Sequence, residues 1–174
     1  GISTGTFKRG QNPYEEIFEI ESVGYEPKNN PAIHWDEVPE LMNVINTSKS
    51  SVLTKSSIKL YLLSCIRVSV IVGMKWDWID EEQNLIVVPP DTTGLKRKLS
   101  RKKNNEYVHY IPITDEIKTL LNQLRGINGH TEYVFYSQNQ KKYPHQHPET
   151  INRFLHRNGY KDRLTAQGWR RVVV

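Results

Sequence analysis

The sequence predicts a mainly helical α+β domain carrying a small three-stranded antiparallel sheet. Two observations carry that expectation. Apolar residues recur at helical spacing in several runs, among them Val38, Leu41, Met42 and Ile45, then residues 53–66, then Ile117, Leu120, Leu121 and Leu124. Between the second and third of these lie three short stretches of strand character at 76–79, 85–88 and 106–111. Turn-like connections join them, and Pro89-Pro90 and Pro112 stop the last two. Consecutive strands joined in this way pair antiparallel.

In chain order, residues 1–30 are polar and broken by Gly1, Gly5, Gly10, Pro13, Gly24, Pro27 and the Asn29-Asn30 pair. They read as an extended arm or linker that follows another domain. From Trp35 the pattern turns helical, with Asp36 placed to cap, Glu37 favouring the N-terminus and Pro39 tolerated in the first turn. A serine-rich turn at 48–51 leads to the second helix, 53–66, which runs into Arg67 and continues as a short turn to Ile71 before Gly73 breaks it. The strands follow, then a helix opened by Thr114, Asp115 and Glu116 and closed by Gly126. Residues 133–136 are a short extended piece. Pro148 starts a further helix with Ile151, Phe154 and Leu155 inward and Gly159 at its end, and a last helix begins near Thr165.

The chain of 174 residues is long enough to bury a sizeable core, and its formal net charge is +5. That balance favours a polyanionic partner. The single cysteine, Cys65, reads as a small core residue, which implies a reducing compartment and no disulfide framework. The apolar run 60–74 is too short for a bilayer and holds Arg67 at its centre. A soluble, cytoplasmic protein is expected.

Arg67 has two readings. A guanidinium among Leu62, Leu63, Ile66, Val68, Val70 and Ile71 must be paired or repay its desolvation, so it is either a core arginine bound to a carboxylate or the floor of a phosphate pocket. Bidentate phosphate recognition suits arginine better than lysine. A second basic feature is Lys96-Arg97-Lys98-Leu99-Ser100-Arg101-Lys102-Lys103, with no acid between Asp91 and Glu106. It is either a solvated loop or a DNA-facing hairpin tip. A third is Gln167-Gly168-Trp169-Arg170-Arg171. Arg67, Arg170 and a hairpin lysine converging on one phosphate would stabilise a pentacovalent transition state without metal.

Three of these segments together resemble the tyrosine recombinases, the phage and genomic-island integrases. Residues 63–80, LSCIRVSVIVGMKWDWID, resemble the family's first-arginine box, an arginine followed by a Leu-x-Trp-x-x-Ile-Asp strand, with Met74, Trp76, Ile79 and Asp80 in those places. Gly94-Leu95-Lys96-Arg97, followed by His109-Tyr110-Ile111-Pro112-Ile113-Thr114, is similar to the lysine-bearing hairpin and its Val-Pro-Leu-Ser strand end. Thr165-Ala166-Gln167-Gly168-Trp169-Arg170 is similar to the His-x-x-Arg box, and Asn30-Pro31-Ala32-Ile33 with residues 35–41 resembles the lead-in of the genomic-island branch.

The resemblance implies a tyrosine-recombinase catalytic domain over 31–174, with 1–30 as the arm from a preceding DNA-binding domain. It implies that Arg67 and Arg170 clamp the scissile phosphate. Lys96, with Lys98 as the alternative, would protonate the leaving 5′-oxygen, and Gln167 would stand where the family has histidine. Lys96, Arg97, Lys98, Arg101, Lys102, Lys103 and Arg171 would meet duplex DNA, with copies associating on it. The reaction would run through a 3′-phosphotyrosine with no metal or cofactor. Three departures matter. Glutamine cannot shuttle protons as histidine can. Val70 occupies a position where glutamate often supports the first arginine. The family's tyrosine lies downstream of the His-x-x-Arg box, whereas all nine tyrosines here precede Arg170, so the domain is expected to be truncated before its nucleophile.

Two other function classes stay open on the sequence. One is a module that binds DNA without chemistry; the other is a metal-dependent nuclease. His145 and His147 have no cysteine or carboxylate at metal spacing, and His34, His109, His130 and His156 are scattered. Asp80-Glu81-Glu82 reads as a solvated turn, and Tyr107, Tyr110, Tyr133 and Tyr136 as sheet and core aromatics.

Overall fold

A computed structural model of the chain describes residues 29–95, 107–137 and 144–172. The expected arm over 1–28 and the basic segment at 96–103 lie outside the described residues. A 3-10 turn at Trp35–Glu37 leads into α1 (Val38–Thr47), and α2 (Val52–Ser64) and α3 (Val68–Val72) follow. The sheet comprises β1 (Ile79–Asp80), β2 (Leu85–Val88) and β3 (His109–Pro112), in that spatial order and antiparallel throughout. Then come α4 (Asp115–Asn128), α5 (Thr150–Leu155) with a wider turn at His156–Tyr160, and α6 (Ala166–Val172).

The centre of the fold is α2. It packs against α1, α3, α4 and α5, and Ser56, Ser57, Ile58, Leu60, Tyr61 and Leu62 are all buried. Two polar side chains on this helix are satisfied locally, Ser57 Oγ donating to Thr54 O at 2.9 Å and Ser64 Oγ to Leu60 O at 2.7 Å. Ser51 caps the start by accepting from Thr54 N at 3.2 Å. Around it, Leu41, Ile45, Ile71, Met74, Ile86, Val88, Ile111, Ile117, Leu124 and Phe154 form one continuous core.

Several local expectations need correction. The second helix stops at Ser64 rather than Ile66, because Cys65 takes a left-handed conformation (φ 51°) and Arg67 is extended before α3. Residues 76–78 form a 3-10 turn, and only Ile79–Asp80 pair as a strand. Trp76 is committed elsewhere: its Nε1 donates to Asn128 O at 3.2 Å and the Arg125 guanidinium lies 4.9 Å from its ring. Gly126 sits inside α4, which runs on to Asn128. Tyr110 is a sheet aromatic in β3 as expected, but at 56% exposed it is not a core one. Cys65 is only partly buried. No helix among the described residues is long and apolar enough to cross a membrane.

The last helix is fastened at its first turn. Thr165 accepts from Gly168 N through Oγ1 at 2.9 Å, and its carbonyl accepts from Trp169 N at 3.0 Å. Thr165 N donates to Pro31 O at 3.2 Å. That approach is so close that a Cβ on Gly168 would lie 1.8 Å from the Pro31 carbonyl oxygen. Gly168→Ala is therefore expected to destabilise the protein by about 1–3 kcal/mol, since backbone rather than a side-chain end must move. Urea unfolding checks this, and a midpoint equal to that of the wild type counts against the contact.

Candidate active site

Arg67 stands at the junction of α2 and α3. Its backbone is extended (φ −65°, ψ 139°) and its carbonyl accepts from Val70 N at 2.9 Å, so it starts α3 from outside the helix. Val70, Ile71 and Val72 then face the core, while the Arg67 side chain remains half-buried at the edge. Its Nη1 donates to Gly94 O at 2.8 Å. Among the described residues it has no carboxylate partner. Gly94 can present that carbonyl because it adopts φ +97° against α3, where a Cβ would fall 1.9 Å from Ser69 Oγ. Val70 is fully buried in the core.

Arg170 arrives from the opposite end of the chain. Two hydrogen bonds hold α6 to the last turn of α2: Trp169 Nε1 donates to Leu62 O at 3.1 Å, and the Tyr61 hydroxyl donates to Ala166 O. The first satisfies one of the carbonyls that a helix end leaves without an internal partner. Ala166 N in turn donates to Asn152 Oδ1 at 2.9 Å, tying α6 to α5. With Trp169 buried, the next residue is turned outward, and Arg170 is exposed beside Arg67.

The two arginines line one open cleft of about 350 Å³. Ser64, Cys65 and Ile66 supply the α2–α3 junction, Leu95 the connection after β2, and His109 the start of β3. Among the described residues no carboxylate is in this lining, so the cleft offers donors and positive charge to an anion. Lys96 follows Leu95 in sequence, and Lys96, Arg97, Lys98, Arg101, Lys102 and Lys103 all lie outside the described residues. Gln167 is exposed on α6 and is not part of the cleft lining. Arg171 is also outside it, its Nη1 donating to Asn30 O at 3.1 Å.

His109 is the lining residue that sequence reasoning missed. Only the strand register reveals it: Val88 pairs with His109 and Ile86 with Ile111. Because side chains alternate along a strand, position 109 shares the face of the buried Ile111 and Val88. Nothing in the local sequence separates it from the other five histidines. Among the described residues no group of three or more His, Cys, Asp or Glu side chains is gathered as a metal site.

The fold is that of a tyrosine-recombinase catalytic domain. The Tn1549 transposon integrase solved in complex with transposon right end DNA superposes with a TM-score of 0.66 at 17% identity, covering 99% of this chain and 59% of that one. The integrase of mycobacterium phage Brujita gives 0.54 at 17%, covering 84% of this chain and 44% of the other. The Phage integrase family matches residues 32–173, and the chain belongs to that family. Similar curated proteins include the prophage integrase IntA of Escherichia coli K12, 26% identical over 146 residues, and the integrase of Shigella phage Sf6, 28% identical over 144 residues. These alignments cover 84% and 82% of this chain but 33% and 34% of the relatives, so the chain spans about a third of their length.

Tyr61 ties the site to stability. Burial pushes its hydroxyl up to about 12, Cys65 beside it adds to the rise, and the Arg170 guanidinium opposes it. A phenol whose folded pKa is raised contributes stability that is fully present below its unfolded value near 10 and lost as pH climbs towards 12. The urea midpoint of the wild type should therefore fall between pH 9 and pH 11 by more than that of Tyr61→Phe. Parallel losses in the two proteins would remove Tyr61 from this account.

Proposed function

We propose that the chain supplies the phosphate-clamping part of a site-specific DNA recombinase that integrates or excises a mobile element of phage or genomic-island type. The observation that carries this reading is the meeting of Arg67 and Arg170, remote in sequence, in one cleft whose described lining holds no carboxylate. Two guanidiniums fit the non-bridging oxygens of a phosphodiester, and their charge stabilises the pentacovalent transition state more than the ground state. That the Tn1549 transposon integrase was solved on DNA supports duplex DNA as the ligand.

The chemistry is a pair of transesterifications. A tyrosine oxygen forms a bond to the scissile phosphorus while the bond to the 5′-oxygen breaks, leaving a 3′-phosphotyrosine and a 5′-hydroxyl. Lys96 (or Lys98) gives its proton to the departing 5′-oxygen, and the tyrosine proton passes to base. Rejoining reverses the steps with the 5′-hydroxyl of a new strand as nucleophile, so no external energy source is consumed. Gln167 donates an amide hydrogen bond at the edge of the site. Lys98, Arg97, Arg101, Lys102, Lys103 and Arg171 follow the DNA backbone, and several copies act together on the attachment sites in the bacterial cytoplasm.

The nucleophile in this reading is a tyrosine outside these 174 residues, on a protein that also carries a DNA-binding domain. Tyr61 is unsuited to the role, because its hydroxyl is buried, bound to Ala166 O and raised to about 12. Formation of covalent protein–DNA adduct on a nicked attachment-site duplex in EDTA tests the proposal. In the full-length protein Arg67→Ala and Arg170→Ala should each lower the rate by about 10²-fold or more, with DNA binding largely kept. Gln167→His should change it far less. An adduct formed by the 174-residue chain alone would place the nucleophile among its nine tyrosines, against this reading. Binding without adduct in the full-length protein would favour a non-catalytic DNA-binding module.

The basic segment has its own test. If about five of its charges meet phosphates, log affinity falls against log salt with a slope of roughly −4 to −5. Changing Lys98, Arg101, Lys102 and Lys103 to glutamate should weaken binding and flatten that slope. A slope left unchanged means that the segment does not face DNA.

A further inference from the structure

We propose that His109 is a third ligand of the anion held between Arg67 and Arg170, donating an imidazole N–H to a phosphate oxygen. The inference deepens the reading of the cleft as a DNA-phosphate site and rests on it. Its first support is the sheet register. Ile86 pairs with Ile111 and Val88 with His109, so all four side chains share one face of the sheet. Ile86, Val88 and Ile111 are buried in the core. The alternation calls for an apolar residue at position 109 as well, yet the chain places an imidazole there. A polar ring facing a core is costly unless it is hydrogen-bonded. At His109, however, the sheet face runs past the edge of the core, and the ring is exposed to the arginine cleft instead.

The second support is the composition of that cleft. Three nitrogen-bearing side chains from three separate elements line it: Arg67 from the α2–α3 junction, His109 from β3 and Arg170 from α6. Their polar neighbours in the described lining are the Ser64 hydroxyl and the Cys65 thiol. Imidazole carries an N–H donor in its neutral form as well as its charged one, so it serves a phosphate across the physiological pH range. The third support concerns α6. Gln167, the residue aligned with the family's histidine, is exposed and absent from the lining. The only imidazole in the described lining therefore comes from the sheet rather than from α6. A histidine that merely decorates a loop edge would sit there equally well, and binding measurements separate the two.

The 174-residue chain is titrated with inorganic phosphate while the His109 ring signals and the arginine Nε–Hε signals are followed by NMR. The His109 ring should respond with the same apparent Kd as Arg67 and Arg170. His109→Ala should weaken phosphate binding by about tenfold, the loss of one charge-assisted hydrogen bond, and His109→Gln should recover most of it by restoring an N–H donor. His109→Leu, which suits the core face of β3, should keep or raise the urea midpoint while binding like His109→Ala, which separates a lost ligand from a lost fold. The inference is overturned if the arginine signals titrate while the His109 ring stays silent, or if His109→Ala binds phosphate as the wild type does. If neither arginine responds, the phosphate reading of the cleft fails and His109 falls with it.

Discussion

The C-terminal turn of α2 is the constraint on which the site depends. A helix end leaves carbonyls without internal partners, and here one is met by the helix's own cap residue and another by a side chain brought from elsewhere in the chain. The backbone N–H of Cys65 closes on Tyr61 O at 2.9 Å, and the Trp169 indole closes on Leu62 O at 3.1 Å. The Tyr61 side chain reaches in the other direction, to the Ala166 carbonyl. The end of α2 and the start of α6 are thus fixed by reciprocal hydrogen bonds across buried surface, where leaving either group unmade costs about 1–3 kcal/mol. Arg67 lies two residues beyond this knot on one side and Arg170 one residue beyond it on the other. Their meeting is a by-product of how a helix end is satisfied.

The same knot explains the break after Ser64. Arg67 does not continue α2, since its own backbone is extended. Cys65 instead turns left-handed, at a cost of about 1–2 kcal/mol for a non-glycine residue. Packing of Val70, Ile71 and Val72 against the rest of the core opposes that cost, because only a restarted α3 presents them inward. Gly94 completes the arrangement from the sheet side by offering a carbonyl to Arg67 through a conformation that glycine adopts without penalty. A carbonyl holds the side chain in place without neutralising it.

Much of the fold was legible because its signals are local. The spacing of Ile117, Leu120, Leu121 and Leu124 marks α4, and Thr114 caps it as expected, accepting from Ile117 N at 3.4 Å. Leu85–Val88 is bounded by Asn84 and Pro89, and β2 has those limits. The misreadings share one cause, which is that a distant partner overrode a local preference. Trp76 and Trp78 alternate as a strand would, but the hydrogen bond of Trp76 to Asn128 O draws that segment into a 3-10 turn. Gly126 looks like a helix end, yet α4 continues because Asn128 is needed at its terminus, where Nδ2 donates to Val134 O at 2.6 Å.

The sequence by itself determined the mainly helical class, the three-stranded sheet, the basic character of the chain and the motifs that point to Arg67, Lys96, Gln167 and Arg170. Periodicity, composition and short spacings carry that information along a stretch of chain no longer than one element. Tertiary structure alone decided that Arg67 is anchored by a carbonyl among the described residues, that Arg170 shares its cleft, and that Gln167 lies outside the lining while His109 lies within it. Those outcomes depend on which helix end is capped by which indole and on which strand residue falls opposite Val88. Such pairings join residues remote in sequence, and their energies arise only when the chain has closed on itself.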